Sequence, residues 1–214
     1  MLSINNLSKH YDGHLVFQGL TYTFEPGCFA LCEQESTGKS TLLGIVAGLI
    51  KPDSGEVFID GISLTKDPKH AKSRIAYVPD NTLEYPMETG RWLLEKVASE
   101  KSANIDDDVL DLASRLELTP HLDKRFEQMS TGMRRKVYLT AAAIGNPAVV
   151  VVDGATNGLD ARACAVVADQ FKTWAKDRVV LFVSFDFDLV QACEAATLEI
   201  TRLHAALRDE AASR

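Results

Sequence analysis

The 214-residue sequence lacks the features that mark a membrane-spanning, secreted or nucleic-acid-binding protein. No apolar run approaches the ~18 residues that a membrane-spanning helix needs. The N-terminus has no basic segment ahead of a long apolar one, so we expect no secretory signal. The net charge is −7, which gives no indication of a surface for nucleic acid. The sequence therefore favours a cytoplasmic protein with no nucleic-acid partner.

Cysteine is also scarce, with four residues and no C-x-x-C pair. Most of them lie in apolar surroundings and are typical of the core thiols of a cytosolic protein. Cys28 and Cys32 lack the second pair of ligands that a structural zinc site requires. The sequence thus gives no support for a zinc-binding fold.

What the sequence does contain is an alternation of short apolar strands and helical segments. Strands are predicted at Tyr22–Phe24, Phe29–Cys32, Val57–Ile59, Ile75–Val78, Val149–Val152 and Val179–Ser184. Helical patterns separate the later strands, which favours a largely parallel sheet with flanking helices. Residues 81–126 are polar with helical periodicity, and we expect them to form a helical subdomain inserted into an α/β core of residues 1–80 and 127–214. After Ile200 we expect a short helix or tail.

A phosphate-binding loop is predicted between the strand that ends at Cys32 and the next helix. Such loops follow the pattern G-x-x-x-x-G-K-[ST]. Gly38, Lys39 and Ser40 fill the last three positions. Backbone N–H groups and a helix N-terminus cradle phosphates, a lysine reaches the β- and γ-phosphates, and a serine offers its hydroxyl to Mg²⁺. The predicted nucleotide contacts are Ser36, Thr37, Gly38, Lys39, Ser40 and Thr41.

The same loop departs from the pattern in ways that weaken it. Its first glycine is replaced by Glu33, and Glu35 adds a second carboxylate. At an effective dielectric of about 20, two like charges ~6 Å apart repel by roughly 3 kcal/mol. Ser36 stands where many such loops carry glycine, which favours a left-handed turn. Taken alone, the loop leaves open a chance match at a helix start.

Three downstream segments complete a longer pattern. They are Met129–Lys136, the strand Val149–Val152 with Asp153, and Gly154–Asp160. With the phosphate loop upstream, this order resembles the ATP-binding cassette (ABC) ATPases, whose signature (LSGGQ) precedes a helix, a strand ending in Asp-Glu and a Gly-Leu-Asp loop. The resemblance covers nearly the whole chain. It implies an α/β P-loop NTPase of the ABC-ATPase type, with an antiparallel β edge region and an inserted helical subdomain.

The resemblance also implies ligands and partners. Tyr11 would stack on the adenine of ATP, and Asp153 would join Ser40 in holding Mg²⁺. ABC ATPases work as head-to-tail pairs, so a second ATPase chain is implied. The elements that would be offered to that partner are Ser130, Thr131, Gly132, Met133 and Asp160. The helical subdomain would dock on membrane-spanning transporter subunits, which would place the chain peripherally on the inner face of a membrane.

Three positions at the chain's own site depart from the family pattern. Gly154 stands where the family has the glutamate that polarises the attacking water. Asp186 is aligned with the switch histidine, and Asp80 replaces the glutamine that enters the helical subdomain. A glycine cannot orient a proton, and loss of a general base costs about 10²–10⁴-fold in rate. We therefore expect hydrolysis at this chain's own site to be strongly impaired.

The departures fall on the elements that serve the chain's own nucleotide, whereas Ser130, Gly132 and Asp160 are retained for a partner. This distribution favours a heteromer in which the chain completes the site of a competent ATPase. A homodimer of inactive chains stays open. The alternative function is a non-hydrolysing, nucleotide-gated or scaffolding module.

Overall fold

The computed structural model describes residues 1–32 and 37–200, and its first layer is a four-stranded antiparallel sheet. The strand order is β2-β1-β4-β5. The bounds are β1 Leu2–Tyr11, β2 His14–Phe24, β4 Ser54–Ile59 and β5 Ile62–Ser63. This sheet is the antiparallel β region that the sequence predicts.

The second layer is a five-stranded sheet with the order β6-β7-β8-β3-β9. Its bounds are β3 Gly27–Leu31, β6 Ile75–Val78, β7 Val149–Val152, β8 Val179–Val183 and β9 Ala196–Leu198. All its pairings are parallel. Every residue of β7 and β8 is buried, because helices or the other sheet cover both faces.

Helices divide between the two faces of the parallel sheet. Their bounds are α1 Lys39–Val46, α2 Pro68–Ser73, α3 Gly90–Lys101, α4 Asp107–Arg115, α5 Thr131–Ala141, α6 Ala161–Trp174 and α7 Phe187–Ala192. Along β7, Val149 and Val151 pack with α1 and the antiparallel sheet. Val150 and Val152 pack with α3 to α6. The alternation follows from the two-residue period of a strand.

Side-chain caps fix where the longer helices begin. Thr89, Asp106, Ser130 and Asp160 each accept a hydrogen bond from a backbone N–H in the first turn of α3, α4, α5 and α6. Such caps satisfy N–H groups that have no partner inside the helix. Two of these capping residues, Ser130 and Asp160, belong to the segments that the sequence assigns to a partner chain.

The predicted strands are all present, and so are the helices expected within residues 81–126. Beyond the six strands listed from the sequence, the structure contains β1, β5 and β9. The expected helix or tail after Ile200 lies outside the described residues. Across the described ranges, no helix has the length and apolar character needed to cross a bilayer.

Candidate functional site

A cavity of about 1050 Å³ opens where β6, β7 and β8 end and α1 begins. The carboxyl ends of parallel strands are the usual place for a ligand in an open α/β sheet. The described lining residues are His14, Leu15, Val16, Gly38, Lys39, Ser40, Thr41, Asp80, Asp153, Gly154, Ala155, Thr156, Asn157, Val183, Ser184, Phe185 and Asp186. Most of the residues predicted to serve the chain's own nucleotide therefore share one cavity.

The N-terminus of α1 forms the phosphate end of this cavity. Gly38 precedes the helix with φ 87°, and a Cβ there would lie 2.4 Å from Val16 Cγ1, so glycine is required. Lys39 is buried, and its Nζ donates to Thr37 Oγ1 at 3.2 Å. The exposed N–H groups and dipole of the first turn favour an anion. The arrangement is that of a phosphate site.

Ser36, like Glu33 and Glu35, lies outside the described residues. The contact of Ser36 with nucleotide and the repulsion from the two glutamates remain predictions.

Ser40 and Asp153 provide oxygen ligands suited to Mg²⁺. Both line the cavity, and they share a side-chain hydrogen bond. Burial raises the pKa of the Asp153 carboxyl, and the hydrogen bond with Ser40 opposes that shift. Hard cations prefer a carboxylate and a hydroxyl to nitrogen or sulfur ligands. The predicted metal pair is thus brought together with chemistry that fits Mg²⁺.

Arg135 is a buried side chain that bonds to the backbone of two residues of the cavity lining. It lies on α5, is 0% exposed, and donates to the carbonyl oxygens of Pro79 (2.9 Å), Asp80 (2.9 Å) and Asp153 (2.7 Å). It also donates to Asp80 Oδ1 at 3.2 Å. Burial lowers the pKa of Arg135, and the carboxylate of Asp80 opposes the shift. Arg135 therefore connects the ends of β6 and β7 to α5, the helix that begins within the signature segment.

The side chain of Asn157 lies next to Gly154. Its Nδ2 donates to Asp80 Oδ1 at 2.7 Å. Gly154 has φ 69°, and a Cβ there would lie 2.4 Å from Asn157 Nδ2 and 2.7 Å from Asp80 Oδ1. The hydrogen bond between Asp80 and Asn157 thus occupies the volume where a side chain at position 154 would begin. Asp80 Oδ1 therefore accepts hydrogen bonds from two side chains of the protein, those of Arg135 and Asn157.

The segment after β8 contributes Ser184, Phe185 and Asp186 to the cavity lining. Asp186 lines the cavity, but its Oδ1 accepts from the backbone N–H groups of Asp188 and Leu189, so it caps α7. The ring of Phe185 is the group that faces the phosphate lysine, with its centroid 5.3 Å from Lys39 Nζ. Asp186 thus caps α7 at the edge of the cavity, and its role in place of the switch histidine remains a prediction.

Tyr11 lies apart from the cavity lining. It ends β1, pairs with His14, and has Lys9 Nζ 4.9 Å from its ring centroid. Its side chain is exposed. Stacking of Tyr11 on adenine remains a prediction.

The signature residues Ser130, Thr131, Gly132 and Met133 are not among the described residues that line the chain's own cavity. Ser130 Oγ accepts from Met133 N at 3.2 Å at the start of α5. A Cβ on Gly132 would lie 2.2 Å from the carbonyl oxygen of Gly158, so this close contact requires glycine.

The loop before α6 joins this surface to the cavity. Asp160 caps α6 by accepting from Ala163 N at 2.8 Å and lies 3.7 Å from Lys136 Nζ. Asn157, in the same loop, bonds to Asp80 in the cavity. One short loop therefore connects the chain's own site to the segment predicted to serve a partner.

Sequence reasoning missed Arg135, Asn157 and Phe185. Arg135 stands in a run of three basic residues, which reads as a solvated helix face. Its helical spacing from Gly132 and Tyr138, both buried, was the signal that could have placed it inward. For Phe185, the signal was the aspartate that follows it, a preferred residue at a helix start.

Replacement of Arg135 by leucine should lower the free energy of unfolding by roughly 3 kcal/mol, because buried carbonyl groups lose their donor. The control is Arg125→Leu, which removes an exposed arginine 3.8 Å from Glu127 and should change stability by less than about 0.5 kcal/mol. Urea denaturation followed by circular dichroism measures both. Equal stability of the two variants would show that the buried network contributes nothing.

Comparison with known proteins adds three findings. The sequence profile described as ABC transporter matches residues 18–157. The chain is 27% identical over 199 residues to "Uncharacterized ABC transporter ATP-binding protein YybJ" of Bacillus subtilis (strain 168), covering 92% of this chain and 91% of that protein. It is 29% identical over 162 residues to "ABC transporter ATP-binding protein YtrB" of the same organism, covering 75% of this chain and 54% of that protein. The chain thus spans about half the length of the second relative.

A solved structure shares the fold. "Dimeric structure of a post-hydrolysis state of the ATP-binding cassette MJ0796 bound to ADP and Pi" superposes with a TM-score of 0.80 at 20% identity, covering 94% of this chain and 95% of that one. At this identity the likeness concerns the fold. It confirms the predicted α/β P-loop architecture with an antiparallel and a parallel sheet.

Proposed function

The chain belongs to the ABC transporter family, and we propose that it is a nucleotide-binding subunit with strongly impaired hydrolysis at its own site. In this proposal it completes the active site of a second, competent ATPase chain. The observation that carries the proposal is the absence of a side chain at position 154, where the family has a glutamate. Gly154 offers no carboxylate, and the bonded pair Asp80–Asn157 fills the space above it.

The residues that would hold nucleotide are those at the start of α1. Backbone N–H groups and Lys39 would bind phosphate oxygens, and Ser40 with Asp153 would hold Mg²⁺, whose charge would offset that of the phosphates. A general base must reach the proton that it removes. Position 154 has no general base, so nucleotide binding would be retained while hydrolysis is strongly impaired.

The residues that this chain would offer to a partner's nucleotide support the heteromeric part of the proposal. Ser130 and the N-terminus of α5, a helix of 11 residues, keep a hydroxyl and a helix dipole where an anion is favoured. The departures in Gly154 and Asp186 spare this surface. Head-to-tail pairing with a competent chain would use it, whereas a homodimer would join two impaired sites.

The helical subdomain proposed for residues 81–126 would dock on membrane-spanning subunits. Leu83 and Met87, in the segment that leads into α3, are exposed apolar side chains suited to such a contact. The chain would then sit peripherally on the inner face of the membrane. The surrounding α/β core would comprise residues 1–80 and 127–214.

The purified chain alone should bind Mg·ATP and turn it over at a rate close to the uncatalysed background. Removal of a general base costs about 10²–10⁴-fold, which is the expected deficit relative to a competent family member. Binding is measured by isothermal titration calorimetry and turnover by phosphate release. The control is Lys39→Ala, which should abolish binding. Robust turnover that Lys39→Ala removes would overturn the proposal.

A further inference from the structure

A second cavity, of about 410 Å³, lies between α2, β6, α3 and α5. It shares no described lining residue with the nucleotide cavity. Its lining includes Ile75, the first residue of β6, whereas Asp80 in the nucleotide cavity follows the end of that strand. Its volume falls within the range of small-molecule sites. The second cavity is therefore a candidate for a ligand other than the nucleotide.

The walls of this second cavity are largely apolar. Ile75 and Ala76 contribute to them from β6, Leu93 and Val97 from α3, and Ala142 from the end of α5. Ala76, Leu93 and Ala142 are buried. An aliphatic chain placed against these side chains would be removed from water, which favours its binding.

The charged residues of the lining are mostly cationic. Three lysines line the cavity, Lys69 and Lys72 from α2 and Lys101 from the end of α3, and none of them belongs to an ion pair among the described residues. Glu100 is the one carboxylate of the described lining, and it is paired with Lys96. The chain as a whole has a net charge of −7. Unpaired positive charge gathered in one cavity of an acidic protein favours an anionic ligand.

Lys101 is a partly buried ammonium group whose charge no described carboxylate offsets. Its Nζ donates to the carbonyl oxygen of Ile144 at 3.1 Å. Burial, together with the positive charge of Arg178, lowers the pKa of Lys101 to about 8. An ammonium group has three hydrogens to donate, and burial disfavours its charged form. A carboxylate bound beside Lys101 would offset the charge and accept a further hydrogen bond.

We propose that the second cavity is a binding site for a small amphipathic carboxylate. The aliphatic part of the ligand lies between α3 and α5, and the carboxylate is held by Lys101. The exposed lysines of α2 add positive charge beside it. The site is separate from the nucleotide cavity and does not depend on the proposed function.

Isothermal titration calorimetry of the full chain with sodium octanoate tests this site. Octanoate should bind saturably, with one molecule per chain. Octylammonium has the same chain with the opposite charge, and acetate lacks the chain, so each should bind at least about tenfold more weakly. Saturating Mg·ATP should not displace octanoate, because the two cavities share no described lining residue. Absence of saturable octanoate binding, or its displacement by Mg·ATP, would overturn the proposal.

Two variants locate the ligand within the cavity. Lys101→Met should weaken octanoate binding roughly tenfold, the effect of one hydrogen bond to a charged group. Methionine keeps a flexible, unbranched side chain without the buried charge, so the fold should be retained. Val97→Trp fills the apolar part of the cavity without a change of charge and should abolish binding. The matched control is Lys176→Met, which removes an exposed lysine outside the described lining and should leave the affinity unchanged. An unchanged affinity in either Lys101→Met or Val97→Trp would overturn the proposal.

Discussion

Ser130→Arg in this chain should reduce ATP turnover by the complex with its ATPase partner at least about 100-fold, the effect of losing preorganised donors at a developing charge. Ser130 begins α5, where its Oγ accepts from Met133 N. A long cationic side chain there would block the approach of the helix N-terminus to the partner's nucleotide. By contrast, Lys39→Ala damages only a site that already lacks its base, so turnover should fall less than about threefold.

The control for this pair is Thr89→Arg, which removes the equivalent cap of α3 and so reports the effect of cap loss alone. Phosphate release by the reconstituted complex measures all three variants. Equal losses from Ser130→Arg and Lys39→Ala would mean that this chain's own site is working. No loss from Ser130→Arg would mean that its signature is not used.

Gly154→Glu alone should fail to restore hydrolysis at this chain's own site. Position 154 has φ 69°, so a side chain there meets backbone strain, and its Cβ would lie 2.4 Å from Asn157 Nδ2, so the Asn157 amide would have to shift. We expect a loss of roughly 2 kcal/mol in the free energy of unfolding, with turnover still at background. Gly61→Glu is the matched control, because Gly61 has φ 77° with nothing within 4 Å and tests strain alone.

Recovery should require further changes that follow from the geometry. Asn157→Ala removes the colliding amide, and Phe185→His supplies a donor beside Lys39. The triple variant should turn over ATP at least about tenfold faster than Gly154→Glu. Asp186→His, which the sequence alone suggests, should not substitute for Phe185→His, because it removes the cap of α7. A rate for Gly154→Glu as high as that of the triple variant would contradict this account of the site.

The sequence predicted the parts of the fold that carry continuous apolar runs. Val149–Val152 is such a run, and it is the buried centre of the parallel sheet. Strand β9 was not predicted because Ala196 and Thr197 are exposed and give no apolar signal. Strand β5 has only two residues, too few for a period to be recognised.

The sequence predicted the site where a motif fixes residue type and spacing, and it missed contacts that depend on tertiary packing. Gly38, Lys39 and Ser40 were found because a phosphate loop needs them in that order. Asn157 and Asp80 are 77 residues apart, so no local pattern links them. The contact of the Phe185 ring with Lys39 and the capping of α7 by Asp186 depend on α7 beginning at Phe187, which no motif indicates.

The most direct test of the central claim is the number of ATP molecules hydrolysed per complex in a single turnover. The complex of this chain with its ATPase partner is loaded with Mg·ATP, freed of excess nucleotide, and quenched after one cycle, and phosphate and retained nucleotide are counted. The account predicts one phosphate released per pair of ATPase chains, with the nucleotide at this chain's site retained unhydrolysed. Release of two phosphates per pair would contradict it.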